Sequence, residues 1–281
     1  MSEARILWQS GRSQVWCGDW REVLPLLERC EDGAVCDHSF NDPPYSRKTH
    51  KGATQLGRTD GSKPTKIAYE PWGTMEAYGL GKDLSTLARG WICIMADHIL
   101  APYYLDAMED AGRYIFPPVP LISPNLRACG GGPSSDAVYL CVSRPARKPW
   151  SDWTATPGHY DYQRVRGSKI AGVKPPDLLR RIVGDYSNRG DLILDCCAGE
   201  GSTGIACMEM GREFILIERD PTTARILVER IERAVKDADA QPELFGAARR
   251  GQGRLDLQDP CKPCAVRVDD GGGKVEDDDH E

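Results

Sequence analysis

Asp42-Pro43-Pro44-Tyr45 sets a carboxylate, two residues without a backbone N–H and a phenol side by side. Proline fixes φ and removes a donor, so neighbouring carbonyls are left to accept hydrogen bonds from elsewhere. A carboxylate beside a proline carbonyl is a double acceptor. Its chemical complement is a double donor, such as the exocyclic NH2 of a nucleobase, and Tyr45 adds a face on which a flat ring can stack. Taken alone, the stretch reads equally well as a stiffened turn.

A second constellation lies downstream. Gly199, Gly201 and Gly204 fit G-x-G-x-x-G between the apolar run 191–195 and a helical stretch, and Glu218 ends the apolar run 213–218. Such glycines allow close backbone approach to a ligand, and the helix start offers free N–H groups. An acid at the end of the next strand is placed to accept from ribose hydroxyls. The reading is a nucleoside-containing cofactor; the alternative is a tight strand–helix turn with Glu218 as a solvated strand end. Asp195 opens the turn, a small residue precedes the first glycine, and only one helix follows. These features suit S-adenosylmethionine better than NAD.

Together the two motifs resemble the site-specific DNA amino-methyltransferases that modify adenine N6 or cytosine N4. Signatures of that family are D/N/S-P-P-Y/F/W for catalysis and a D-x-F/C-x-G-x-G type cofactor loop. The order found here, with Asp42–Tyr45 first, is similar to its permuted β-type arrangement. "CGDW" at 17–20 looks like the family's G-D element, whose acid, here Asp19, contacts the cofactor's adenine. "GVKPPDLL" at 172–179 resembles the Q-K-P-x-x-L element at the methionine end, with Val173 in place of the glutamine, and "QPELF" at 241–245 is a familiar close.

The resemblance covers roughly residues 13–245. It implies a Rossmann-like S-adenosylmethionine-dependent methyltransferase fold and a flipped-out base in double-stranded DNA as substrate. The catalytic residues would be Asp42, Pro43, Pro44 and Tyr45. The cofactor would be held by Asp19, Lys174, Pro175, Asp195, Cys196, Gly199, Gly201, Thr203 and Glu218. D-P-P-Y favours adenine N6 over cytosine N4. One departure is "DHSF" at 37–40, standing between an expected strand at 33–37 and the motif. It leaves Asp37 as a rival acid. Rival functions are RNA or protein-amide methylation, a catalytically dead DNA-binding relative, and a NAD-dependent oxidoreductase.

The net charge of −6 argues against nucleic acid only until its distribution is considered. Acids crowd into 260–281, whereas 46–66 carries Arg47, Lys48, Lys51, Arg58, Lys63 and Lys66 against Asp60 alone. A second basic segment, 143–169, includes Arg164 and Arg166. Local positive stripes matter for phosphate binding more than the total. Arg47, Lys48, Lys51, Arg58, Arg164 and Arg166 are therefore the expected DNA contacts; solvated surface loops are the alternative.

The elements that must position these groups are legible as an alternation. Strands are expected at 13–17, 33–37, 91–97, 136–142, 191–195 and 213–218, and helices at 20–30, 74–89, 99–111, 175–187, 202–210 and 220–236. That alternation predicts an α/β fold: a mostly parallel twisted sheet with helices on both faces. Residues 46–70 read as a long polar loop, and 123–172 as a target-recognition excursion from the sheet. Residues 1–245 form the expected catalytic domain, and 246–281 an acidic tail with the composition of a disordered segment.

No apolar run approaches a membrane span, and "MSEARILWQS" lacks a signal peptide's apolar core, so a cytoplasmic protein is expected. Reduced thiols are expected in such a chain. Cys261 and Cys264 are a lone CxxC, and no histidine spacing suggests a ligand set, so no metal is expected. A homodimer is left open.

Overall fold

The computed structural model describes residues 4–55, 69–127, 135–147, 155–163 and 174–240. Arg58, Arg164, Arg166, the close at 241–245, Cys261, Cys264 and the acidic tail lie outside the described residues.

A ten-stranded sheet organises the chain, in the order β1-β2-β10-β9-β3-β4-β7-β6-β8, with β5 also on β7. Its centre is formed by β2 (Ser13–Cys17), β10 (Glu213–Glu218), β9 (Leu192–Asp195), β3 (His38–Asn41) and β4 (Ile92–Ala96). These five pair in parallel. Antiparallel pairs flank them: β1 (Arg5–Ser10) on β2, and β7 (Ser135–Pro145) between β4 and β6 (Val119–Arg127). Two short strands, β5 (Arg113–Ile115) and β8 (Tyr160–Asp161), complete the sheet on that side.

Both faces of the sheet are covered, and each central strand divides its side chains between them. Ile92, Ile94 and Ala96 join one core cluster, with Leu80 and Leu84 of α3 (Thr74–Leu87) and Tyr104 and Met108 of α4 (Ala101–Asp110). Cys93 and Met95 join the other. It contains Leu178 and Ile182 of α5 (Pro176–Tyr186), Ala206 of α6 (Ser202–Met210), and Leu227 and Ile231 of α7 (Pro221–Ala240). Period-2 alternation with both sides apolar is what a doubly covered parallel strand requires.

Four expectations need correction. The strand expected at 33–37 is His38–Asn41. Val35 and Cys36 are buried, but Cys36 makes only an isolated bridge to Ala88. The polar loop begins as a helix, α2 (Arg47–Gln55). The excursion at 123–172 starts within the sheet, because β6 and β7 are paired strands. The helix expected at 20–30 is one turn, α1 (Trp20–Val23), followed by a 3-10 turn at Leu24–Leu26.

Among the described residues no helix is long and apolar enough to cross a membrane. None of their His, Cys, Asp or Glu side chains gather in threes that could hold a metal ion.

Candidate active site at the carboxyl ends of the parallel strands

The misplaced strand explains the residues that the sequence pattern left over. His38, Ser39, Phe40 and Asn41 are β3 itself, so the chain passes from a central strand directly into Asp42-Pro43-Pro44-Tyr45. The rival acid is removed by the same observation. Asp37 lies before β3, where its carboxylate accepts from Leu192 N at 2.8 Å and from Arg89 at 3.3 Å, at the opposite end of the sheet.

Polar residues in a central strand must find partners. Ser39 Oγ donates to the Leu194 carbonyl at 3.1 Å, and Asn41 Nδ2 donates to Ser39 Oγ at 2.8 Å. Asn41 Oδ1 in turn accepts from the backbone N–H of Cys196 at 2.8 Å. One side chain thus ties the Asp-Pro-Pro-Tyr corner to the start of the glycine turn on the neighbouring strand.

Within the corner, Tyr45 Oη donates to Asp42 Oδ1 at 3.2 Å. Lys174 Nζ donates to Asp42 Oδ1 at 2.7 Å, to Asp42 Oδ2 at 2.6 Å and to Tyr45 Oη at 2.9 Å. The sequence placed Lys174 with the cofactor residues; its ammonium is bonded to the Asp42 carboxylate. Burial, reinforced by the Asp42 charge, pushes the Tyr45 hydroxyl above the usual phenol range. Asp42 and Asn41 line a narrow cleft with Thr203 of α6 and Leu179, Ile182 and Val183 of α5.

The corner is held from the next strand by a residue the sequence reading missed. Asp97 follows β4 and is 2 % exposed. Its carboxylate accepts from Ser46 N at 3.0 Å, from Ser46 Oγ at 2.5 Å and from the Thr49 hydroxyl. It also caps the approach to α4 through Ile99 N at 3.1 Å and Leu100 N at 3.0 Å. Burial works upward on its pKa, but the bonds from Ser46, Thr49 and Leu100 outweigh it and hold the carboxyl below its ordinary range. The available signal was its place, an acid at the carboxyl end of an apolar run. Tyr69 and Trp72 were missed too. Trp72 N donates to the Tyr45 carbonyl at 3.2 Å, and burial with the Asp42 charge pushes the Tyr69 hydroxyl to about 12.

At the glycine turn, Gly199 (φ +53°) and Gly201 (φ +81°) adopt left-handed backbone. Their roles differ from the single one expected. A Cβ on Gly201 would lie 2.9 Å from Leu227, and one on Gly204 would lie 2.5 Å from Leu216. Those two glycines admit close packing of α6 on β10 and α7. At Gly199 a Cβ would meet no protein atom within 4 Å, so what the protein itself asks of this glycine is the left-handed backbone. Glu218 fastens the turn: Oε2 accepts from Gly199 N at 2.9 Å and Oε1 from Asp220 N at 2.8 Å. Each oxygen keeps a lone pair for another donor. The Glu218 carbonyl accepts from Gly18 N at 3.0 Å, which brings Asp19 to the same edge. Asp19 there caps α1 through Arg21 N at 3.0 Å.

Asp195 is buried, and desolvation raises its carboxyl pKa from 3.8 to about 7 against bonds from Thr203 and Cys197 N, with Asp42 and Glu218 adding to the rise. A carboxyl that holds its proton more tightly when folded favours the folded state while protonated. Stability is therefore expected to fall as pH rises between 3.8 and about 7, and to level above it. Asp195→Asn should flatten that part of the profile in urea unfolding measured from acid to neutral pH. A variant as pH-dependent as the parent would assign the slope to another group. Cys196 is buried behind Asp195, Thr203 lies in the first turn of α6, and Pro175 is the N-cap of α5. Arg47, Lys48 and Lys51 occupy the first turns of α2 and are exposed, directly after the corner.

The carboxyl ends of β2, β10, β9, β3 and β4 thus gather Asp19, Glu218, Asp195 with the glycine turn, Asp42–Tyr45 and Asp97 on one edge of the sheet. Open α/β sheets place their ligands at this edge. Residues 143–229 match the family model described as DNA methylase. The DNA adenine methyltransferase YhdJ of Escherichia coli (strain K12) is 35% identical over 138 residues, 43% of this chain and 46% of that protein. The chain spans less than half the length of the curated relatives it matches. Among solved structures, the M1.HpyAVI–SAM complex is similar with TM-score 0.54 and 17% identity, covering 77% of this chain and 98% of that one. The cytosine-N4-specific PvuII DNA methyltransferase is similar with TM-score 0.54 and 12% identity, covering 87% and 94%. At those identities the likeness is one of fold: the α/β architecture of these methyltransferases.

Proposed function

We propose that the chain is an S-adenosylmethionine-dependent DNA methyltransferase acting on the exocyclic amine of a flipped-out base, adenine N6 in preference to cytosine N4. One observation carries the reading. Asn41 joins the double-acceptor corner to the glycine turn by a 2.8 Å hydrogen bond, so an amine site and a nucleoside site lie on adjacent strands. Adenine is preferred because the motif is Asp-Pro-Pro-Tyr and because the YhdJ protein is named for adenine. The PvuII neighbour keeps cytosine N4 as the alternative.

The donor set suits the cofactor. The left-handed turn at Gly199, the start of α6, and the acids Glu218, Asp195 and Asp19 offer N–H groups and carboxylates to a nucleoside with an amino acid tail. S-adenosylmethionine held there would supply an activated methyl group. The protein's own work is at the amine. A nucleobase NH2 is a poor nucleophile because its lone pair is delocalised into the ring. Asp42 and the Pro43 carbonyl would accept its two N–H bonds and favour a pyramidal nitrogen with a free lone pair. Tyr45 would stack on the ring, and Asp97 would hold the corner still through Ser46. With the amine so held, its surplus proton would leave by way of Asp42 or solvent as the methyl group is accepted. Positioning and electrostatics do most of the catalysis. The base must leave the duplex to reach the cleft, and Arg47, Lys48 and Lys51 on α2 are placed to meet phosphate.

The test is expression in a host lacking DNA methylation, followed by genome sequencing with modification-sensitive reads. Methylated adenine at one short sequence is expected. Soluble protein that binds S-adenosylmethionine and leaves the genome unmodified would overturn the DNA reading.

A further inference from the structure

Lys174 stands in the amine corner as a satisfied guest. An ammonium carries three N–H donors, and here all three acceptors are present: both Asp42 oxygens at 2.7 and 2.6 Å, and Tyr45 Oη at 2.9 Å. The same Nζ lies 5.0 Å from the centroid of the Tyr45 ring. Its side chain is 8 % exposed, against 27 % for Asp42, so the charge is held inside and the acceptor faces outward. A nitrogen donating to the Asp42 carboxylate beside the Tyr45 ring is the arrangement a nucleobase amine requires. Lys174 takes one acceptor position on each carboxylate oxygen and Tyr45 Oη a second on Oδ1, so an amine entering the corner meets a single remaining position on Oδ2 unless the lysine moves aside.

Backbone movement is a poor way to clear the site. Pro175 and Pro176 follow Lys174 directly, with Pro175 fixed at φ −63° and ψ 138° as the N-cap of α5. The flexible four-carbon stem is what can turn, carrying its charge to a new rotamer.

The geometry points to Lys174 as the specificity gate of the amine corner: its ammonium holds the Asp42 and Tyr45 acceptors, and only a group offering N–H donors to them can take its place. This rests on the methyltransferase reading above and adds a selection rule to it. A flipped base that presents a carbonyl in place of an amine brings acceptor against acceptor and cannot displace the lysine, so it is rejected before chemistry. An internal competitor also lowers the apparent affinity for every substrate by the fraction of time it holds the site.

Two measurements on the full chain test the gate, and they fail separately. The first uses neither DNA nor cofactor. Lys174→Ala should be stabilised against heat by methylammonium chloride more than by tetramethylammonium chloride at equal ionic strength, because only the former donates N–H bonds, while the parent should not distinguish the two salts. A variant that does not distinguish them, or a parent that does, overturns the gate. The second is the KM for unmethylated genomic DNA in a labelled-methyl transfer assay, where Lys174→Ala should lower KM by about three- to tenfold. KM unchanged or raised overturns the gate. If the alanine variant does not fold, Lys174→Met, which keeps the buried stem, carries the KM measurement with the same expectation. A parent that transfers no methyl group to DNA sinks the methyltransferase reading, and the salt comparison still decides what Lys174 binds.

Discussion

Asp42→Asn is expected to slow methyl transfer to unmethylated DNA by about a hundred- to a thousandfold, with S-adenosylmethionine binding changed by no more than about twofold. Asparagine keeps one acceptor but loses the charge, and its NH2 points a donor at a substrate amine that is itself a donor. It is a better probe than alanine. Lys174 is buried against Asp42, and either substitution removes the counter-charge of its ammonium. Alanine would remove both acceptors as well, whereas asparagine leaves the ammonium one oxygen to bond and keeps the shape of the corner. Unfolding of the variant measured beside its activity therefore separates loss of the acceptor pair from loss of the fold. A tritium-transfer assay with calorimetric titration of the cofactor checks it. Equal loss of cofactor binding, or activity near that of the parent, would place the amine site elsewhere.

Asp97→Ala is expected to lower unfolding free energy by about 3–5 kcal/mol and to reduce turnover by at least about tenfold. The carboxylate satisfies donors from two places: Ser46 and Thr49 after the corner, and Ile99 and Leu100 before α4. Removing it leaves them facing a buried hole and frees Ser46, the residue that follows Tyr45. The pH dependence has a definite sign. The folded carboxyl titrates below its ordinary value of 3.8, so its contribution is present above that value and is lost as pH falls through the folded pKa. The difference between parent and variant in urea unfolding should be largest at neutral pH and shrink in strong acid. A difference independent of pH would mean that packing, not the charge, is what Asp97 contributes.

The apolar central strands were legible because buried parallel strands are continuous hydrophobic runs, and β2, β4, β9 and β10 appear within a residue or two of their expected bounds. β3 was not. "HSFN" carries three polar residues in the middle of the sheet, and no periodicity marks a strand whose polar atoms are satisfied by Leu194, Cys196, Trp91 and Asp191. The apolar "AVC" beside it drew the assignment four or five residues too early. β6 was hidden by Pro120 and Pro124, which argue against a strand, although Pro is tolerated where its missing N–H has no ladder partner. α2, "RKTHKGATQ", has no apolar face at all, and its start is tied down by Asp97 through Thr49 rather than by its own pattern. At the site, motif residues were found by type and spacing. Asp97 and Asn41 were not, since their roles come from neighbours far along the chain.

The polarity of β3 has a consequence for the chain while it is being made. Its β4 neighbour follows within about fifty residues, but β9, on its other side, lies 155 residues downstream of the bonds they share. A ribosome working at ~5–20 residues per second therefore exposes one edge of this strand for many seconds before its partner exists. Four β-branched apolar residues in that position would be an open template for pairing with other chains. Histidine, serine and asparagine make a poor template, because stacking them against a foreign strand buries polar atoms without partners. The residues that register the two halves of the site in the finished protein also shield its central edge from the wrong partner during synthesis.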